Sequence, residues 1–340
     1  MANLSNQGAR RLQLFRPKIK QILASAKVIN YKERREDLEN TQVFAIRHGQ
    51  SIQNAHIGEL FNKICLESPK IESSHESVHN SLSEKENSLK NENNKLTTLG
   101  EWIDVQSDRK LIDSSLSERG RLQSKELQNV VNQFKFHTVF VSPLKRAIET
   151  AYWMFKGHKD FDQIKFVIFP LLMEKLHVSA DLPNPMALKQ IQKLHSQKFK
   201  LGILPQDENK QDNPNWYVEL LNQDLQSQVQ QFKANNPKLQ VQDFFIQKIN
   251  DVYPGAIEST ENCFYRTLLA RKSLIQYITN NQIEHTHKIA LVGHSAFFRI
   301  YFAEQYFQEN GFERQPSLEE SVCLENCEIY PDFNFNKKSD

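Results

Sequence analysis

Gln42-Val-Phe-Ala-Ile-Arg47-His48-Gly49-Gln50-Ser51-Ile52-Gln53-Asn54 decides the reading of this chain. Val43 to Ile46 is a short apolar run, the mark of a strand buried on both faces. It stops abruptly at Arg47-His48-Gly49, so an arginine and a histidine stand where a strand hands over to a loop.

The same punctuation recurs downstream. His137-Thr-Val-Phe-Val141 reads as a second strand, followed by Ser142-Pro143 and a helix through Ala147, Ala151 and Met154, with Pro143 suited to the first turn. Phe166 to Phe169 reads as a third strand closed by Pro170, and Ile289 to Val292 as a fourth ending at Gly293-His294-Ser295. Between them, helices are expected from Ser117 to about Phe134 with Leu122, Leu127, Val130 and Val131 inward, from Ile257 to Ile278 with Phe264, Leu268, Ile275 and Ile278 on one face, and from Ala296 to Phe307. Val322 to Ile329 reads as a last, edge-like strand. Alternating strands and helices predict an α/β fold: a three-layer sandwich with a mostly parallel sheet, helices on both faces and a helical cap insertion.

In such sheets the binding site lies beyond the carboxyl ends of the strands. There the sequence sets Arg47 and His48, then Ser142 to Arg146, then Glu174, then His294. Guanidiniums hold phosphoryl oxygens in bidentate fashion, and a neutral imidazole is nucleophilic near neutral pH. A carboxylic acid of raised pKa can give the leaving alkoxide its proton. The set composes a phosphoryl-transfer site in which Arg and His, rather than a metal, meet the phosphoryl charge.

The motif residues resemble those of the histidine phosphatase superfamily, also called phosphoglycerate mutase-like. Arg47-His48-Gly49-Gln50-Ser51-Ile52-Gln53-Asn54 is similar to its R-H-G-x-S-x-x-N opening. Asp113 to Gly120 resembles D-x-x-L-T/S-x-x-G, and Ser142 to Ala151 resembles S-P-L-x-R-A-x-x-T-A. Leu172-Met173-Glu174, Val292-Gly293-His294 and Asn326-Cys327-Glu328 fall where the family keeps its proton donor, its second histidine and its final N-x-E. The resemblance implies that His48 is the nucleophile and that Arg47, Arg146 and His294 complete the phosphate pocket. It further implies Glu174 as proton donor, Asn54 as a phosphate ligand and Ser51 as a residue shaping the loop, with no metal and no cofactor. Glu149 is a weaker substitute for the acid and is expected to face solvent. The family's mutases follow their acid with Arg and Tyr-Gly; this chain has Lys175 and Leu176 there. The expectation is therefore a phosphatase acting on a small-molecule phosphomonoester or a phosphoprotein through a phosphohistidine. Mutase-type phosphotransfer and a catalytically silent interaction module are the alternatives.

Other readings fall away on the residues. Gly293-His-Ser295-Ala-Phe297 half matches a nucleophile elbow, but Phe stands where Gly is needed and no histidine follows His294. His285 and His287 read as a solvated loop, and Cys323 and Cys327 as packing residues. Over 340 residues, 43 Lys and Arg against 41 Asp and Glu give net +2, which carries no nucleic-acid footprint. No apolar run nears the 18 or so residues a membrane span needs, and four scattered cysteines build no disulfide framework. A cytoplasmic protein without stable membrane insertion is expected, with residues 1–40 as a basic arm, disordered or organelle-targeting. Residues 41–335 are expected to form the phosphatase-like domain, interrupted by a disordered polar insertion at about 68–98 and a strand-free helical insertion at about 176–256.

Overall fold

The computed structural model describes residues 35–66, 101, 104–204, 211–253, 255–312, 316 and 321–332. The expected polar insertion at 68–98 and residues 1–34 of the arm lie outside them. Among the described residues six strands form one sheet: β1 (Val43–Arg47), β2 (Phe136–Val141), β3 (Lys165–Ile168), β4 (Leu201–Ile203), β5 (Lys288–Gly293) and β6 (Ile329–Pro331), in the order β4-β3-β2-β5-β1-β6. All neighbours are parallel except β6, which runs antiparallel to β1 at the edge. The helices, in chain order, are α1 (Arg35–Asn40), α2 (Ile52–Leu66), α3 (Glu118–Glu126), α4 (Gln128–Val131), α5 (Lys145–Phe155), α6 (Leu188–His195), α7 (Gln223–Asn235), α8 (Val241–Val252), α9 (Thr260–Asn280), α10 (Ser295–Tyr301) and α11 (Glu304–Asn310).

Two apolar layers sandwich the sheet, and strand parity assigns each side chain to one of them. Phe44, Ile46, Val139, Val141, Ala290 and Val292 pack with Ala147, Ile148, Ala151 and Met154 of α5. The intervening Val43, Ala45, Phe140, Ile289 and Leu291 pack on the other face with Phe264 and Leu274 of α9 and with Phe297, Phe298 and Tyr301 of α10. The central strands are thus buried on both sides, which is why they read as unbroken apolar runs. Among the described residues no helix is long and apolar enough to cross a membrane.

Several expectations are corrected. A strand, β4, lies inside the segment read as strand-free; at three residues with a central glycine it gives no pattern to detect. Residues 35–40 of the expected arm form α1, whose Leu38 is fully buried in the core. The long helix begins at Thr260 rather than Ile257, because Ser259 caps it (Oγ accepts from Asn262 N–H, 3.1 Å) while Ile257 and Glu258 give their N–H groups to the Leu176 carbonyl. Its exposed side carries Ile275, which was expected inside. The helix after His294 breaks at Phe302-Ala303 into α10 and α11, and the last strand shrinks to Ile329–Pro331 because Cys327 adopts a left-handed φ of 62°. Leu122 is 53% exposed, since the inward face of α3 consists of Gly120 and Ser124. That face needs small residues because the loop after β1 presses against it.

Candidate active site

The loop after β1 lies against the N-terminus of α3 at backbone contact distance. A Cβ on Gly120 would sit 2.1 Å from the Gln50 carbonyl oxygen, and one on Gly49 would sit 2.5 Å from the Gly120 carbonyl oxygen. Ser117 N–H donates to the Gln50 carbonyl (2.9 Å), Ser117 Oγ–H to Gln50 Oε1 (2.9 Å), and Gln50 N–H to Gln123 Oε1 (3.0 Å). Gly49 N–H donates to Thr150 Oγ1 (3.0 Å), which ties the loop to α5 as well. These bonds explain the glycines and hydroxyls of the three motif blocks. They also yield a stability prediction. Alanine in a helix is ordinarily about 1 kcal/mol better than glycine, but Gly120→Ala is expected to destabilise by about 1–3 kcal/mol through overpacking. A urea midpoint checks the sign: a stabilised variant would show that the loop does not press on α3.

His48 is 4% exposed and held as one tautomer. Its Nδ1 lies 2.6 Å from the Gly49 carbonyl, which can only accept, so the proton sits there. Nε2 is then the lone-pair nitrogen, and Arg146 Nε–H donates to it at 3.2 Å. Burial, then the charges of Arg146 and Arg47, drive the imidazole well below its ordinary 6.5. His294, just after β5, sets its ring centroid 5.1 Å from that of His48, with the planes tilted by 59°. Its Nε2 lies 2.7 Å from Ser142 Oγ, and its buried Nδ1 has no partner. Burial and Arg146 likewise push it well below 6.5.

Arg146, on the first turn of α5, is gripped on all sides. Nη2 pairs with Asp181 Oδ1 (3.0 Å), and Nη1 donates to the Ala180 carbonyl. Asp113, at a left-handed φ of 49°, receives Lys145 N–H on Oδ1 (2.7 Å) and the Asn184 amide on Oδ2 (2.8 Å), anchoring the start of the same helix. Burial lifts the Asp113 carboxyl to about 6. Arg47 Nη1 donates to the Leu324 carbonyl (2.8 Å), while its buried Nε has no partner. Asn54 and Ser51 bond each other reciprocally, Ser51 N–H to Asn54 Oδ1 (3.2 Å) and Asn54 N–H to Ser51 Oγ (3.1 Å), capping α2.

Glu174 lies beyond β3, with its carboxylate at the head of α10. Oε1 accepts Lys175 N–H and Phe297 N–H, both 2.8 Å, and Oε2 accepts only Ala296 N–H at 3.2 Å. Burial, then the charge of Asp181, raises its pKa above the ordinary 4.5 against the pull of Arg146 and the amides. Arg47, His48, Ser51, Asn54, Arg146 and Glu174 line one cavity of about 400 Å³, and His294 stands behind His48. All seven residues singled out from the sequence therefore come together.

Glu149, expected to face solvent, instead accepts Leu116 N–H through Oε2 (2.8 Å) and holds the 113–117 loop. The sequence reasoning missed the supports. Asp181 lies in a segment with no recognisable motif. Arg266 is buried with Glu258 (Nη2 to Oε2, 2.9 Å) and donates through Nη1 to the carbonyls of Leu171 (2.9 Å) and Met173 (2.6 Å), fixing the turn that bears Glu174. An arginine in a helix otherwise read from its apolar spacing was the available signal.

Residues 102–179 match the family profile described as "Histidine phosphatase superfamily (branch 1)", so the resemblance drawn from the motifs is borne out. No curated protein matches the chain. Among solved structures, the ecdysone phosphate phosphatase of Bombix mori in complex with tungstate is similar at 13% identity and a TM-score of 0.42, covering 85% of this chain and 87% of its own. The mycobacterial glucosyl-3-phosphoglycerate phosphatase with VO3 gives 13% and 0.36, covering 85% and 90%. Phosphoserine phosphatase of Entamoeba histolytica with 3-phosphoglyceric acid gives 12% and 0.33, covering 85% and 88%.

Proposed function

We propose that the chain is a phosphomonoester hydrolase that works through a phosphohistidine on His48 and needs no metal. The observation that carries this is the state of His48. Its proton is committed to the Gly49 carbonyl, and its lone pair faces the Arg146 guanidinium in a cavity that also holds a buried carboxyl of raised pKa. Nε2 attacks phosphorus, the P–N bond forms and the P–O bond to the alcohol breaks. Glu174 gives its proton to the departing oxygen. Oε2, with a single long amide bond, is the oxygen suited to carry that proton. Water then attacks the phosphohistidine and returns a proton to Glu174, the P–N bond breaks, and phosphate leaves. Arg47, Arg146 and His294 stabilise the transferring group, where losing one aimed donor costs on the order of 10²–10³ in rate.

Hydrolysis is favoured over mutase transfer because Lys175 Nζ is bound to Thr260 Oγ1 (2.9 Å) and is absent from the cavity lining, so it offers no grip for a second anionic group. Phosphate release from an aryl phosphate in EDTA tests the proposal. Release that survives chelation supports it, and release that requires an added metal contradicts it.

The pH dependence follows in sign. His48 is depressed below 6.5, so it stays neutral there and loses its lone pair only at lower pH; this sets the acid limb. Glu174 is raised above 4.5 and must be protonated, so activity falls as pH rises through its pKa. The bell of kcat/KM is expected to lie toward the acid side. A profile flat between roughly pH 4 and 9 would contradict both roles. Glu174→Gln should cost about 10²–10⁴-fold with an alkyl phosphate, and far less with a nitrophenyl ester, whose anion leaves unaided. Equal losses on both esters would remove Glu174 from the proton-donor role.

A further inference from the structure

We infer that the part of the cavity beyond the phosphoryl site selects the phosphate monoester of an uncharged, partly apolar alcohol bearing a second oxygen that accepts a hydrogen bond from Gln106. This rests on the phosphatase reading above and deepens it.

Charge argues first. Arg47, Arg146, Glu174 and Asp181 all serve the end of the cavity built around His48, and Arg146 already spends its Nη groups on Asp181 and the Ala180 carbonyl. Gln53, Ile57, Gly58, Gln106, His177, Val178 and Tyr253 line the rest, and none of these is an Arg, Lys, Asp or Glu. A carboxylate or second phosphate on the alcohol would meet no further arginine or lysine among the described residues of this lining.

Shape argues next. Gln53 and Ile57 stand one turn apart on α2 with Gly58 beside them, and a Cβ built on Gly58 meets no atom within 4 Å. The Tyr253 ring stacks with His177 (centroids 5.4 Å, planes 25° apart), so that aromatic wall is held in place. A volume of about 400 Å³ takes a phosphoryl group and a ring-sized alcohol.

A buried polar group in the lining is unsatisfied. Gln53 Nε2–H donates to Gln106 Oε1 (3.4 Å), but Gln106 Nε2 has no partner although the residue is only 2% exposed. A buried donor without an acceptor is costly, and a hydroxyl, ether or carbonyl oxygen of the substrate would satisfy it. Sites built this way reject analogues that lack the oxygen.

Three aryl esters of similar leaving-group basicity test the inference: phenyl phosphate, 4-(2-hydroxyethyl)phenyl phosphate and its near-isostere 4-(carboxymethyl)phenyl phosphate. The expected kcat/KM for the hydroxyethyl ester is at least tenfold above that for the carboxymethyl ester and several-fold above that for phenyl phosphate. Gln106→Leu should remove the hydroxyethyl advantage over phenyl phosphate. Gly58→Leu, which fills the open side of the cavity, should lower the ratio of the hydroxyethyl ester to methyl phosphate about tenfold. If wild type turns over the carboxymethyl ester as well as the hydroxyethyl one, or if neither variant alters these ratios, the selectivity is wrong while the phosphatase reading stands. If the folded protein releases no phosphate from any ester, that reading fails and this one with it.

Discussion

His48→Ala is expected to lower phosphate release by on the order of 10⁴-fold or more, since removing a covalent nucleophile usually costs that much. The fold should survive the change. His48 contributes little apolar packing, and the bonds that shape its loop run through Gly49, Gln50 and Ser117 rather than through the imidazole. The urea midpoint should therefore stay close to wild type while turnover disappears. Residual release above about one per cent of wild type would mean that water attacks the ester directly and that His48 only binds it.

The second large effect concerns stability. Arg266→Ala is expected to cost about 3–5 kcal/mol, because it leaves the Glu258 carboxylate, 0% exposed, without its ion-pair partner. The carbonyls of Leu171 and Met173 lose their donor at the same time, and the Arg266 guanidinium no longer sits 5.2 Å from the Phe297 ring centroid. Since Phe297 N–H and the 171–175 turn together position Glu174, activity should fall along with stability. The double variant Arg266→Met with Glu258→Leu separates the two effects. Replacing a buried pair by apolar residues is often neutral for stability, so the midpoint should largely recover. The proton donor stays unmoored, and turnover of alkyl phosphates should remain low. A single variant within about 1 kcal/mol of wild type would show that the pair does not hold this turn.

How much was legible in the sequence differs by element. Strands β1, β2 and β5 were readable because burial on both faces leaves unbroken apolar runs, and the residues at their carboxyl ends were placed by that reading alone. Glu174 was locatable because β3 is followed closely by Pro170, which closes the strand and puts the acid just beyond it. What could not be read depends on tertiary approach. Nothing local in Ser-Ala-Asp181 says that the carboxylate meets Arg146, which lies 35 residues earlier in the chain. Nor does any local pattern bring Gln106 from its helical turn and Tyr253 from the end of α8 to the same cavity. Leu122 misled for a related reason. Apolar spacing assigns a leucine inward, but the close approach of the 49–51 loop to α3 admits only Gly120 and Ser124 there. Glu149 misled because a charged residue on a helix reads as solvated, whereas a loop amide was waiting for it.

A phosphohistidine is a covalent species, so it can be captured on the protein. Wild-type protein is mixed with an aryl ester carrying radiolabelled phosphate, quenched in alkali within the first turnover, and digested for peptide mapping. Label is expected on the peptide containing His48, stable to alkali and lost in acid as for a phosphoramidate. Label on a serine or carboxylate, or steady turnover with no labelled protein at any quench time, would contradict it.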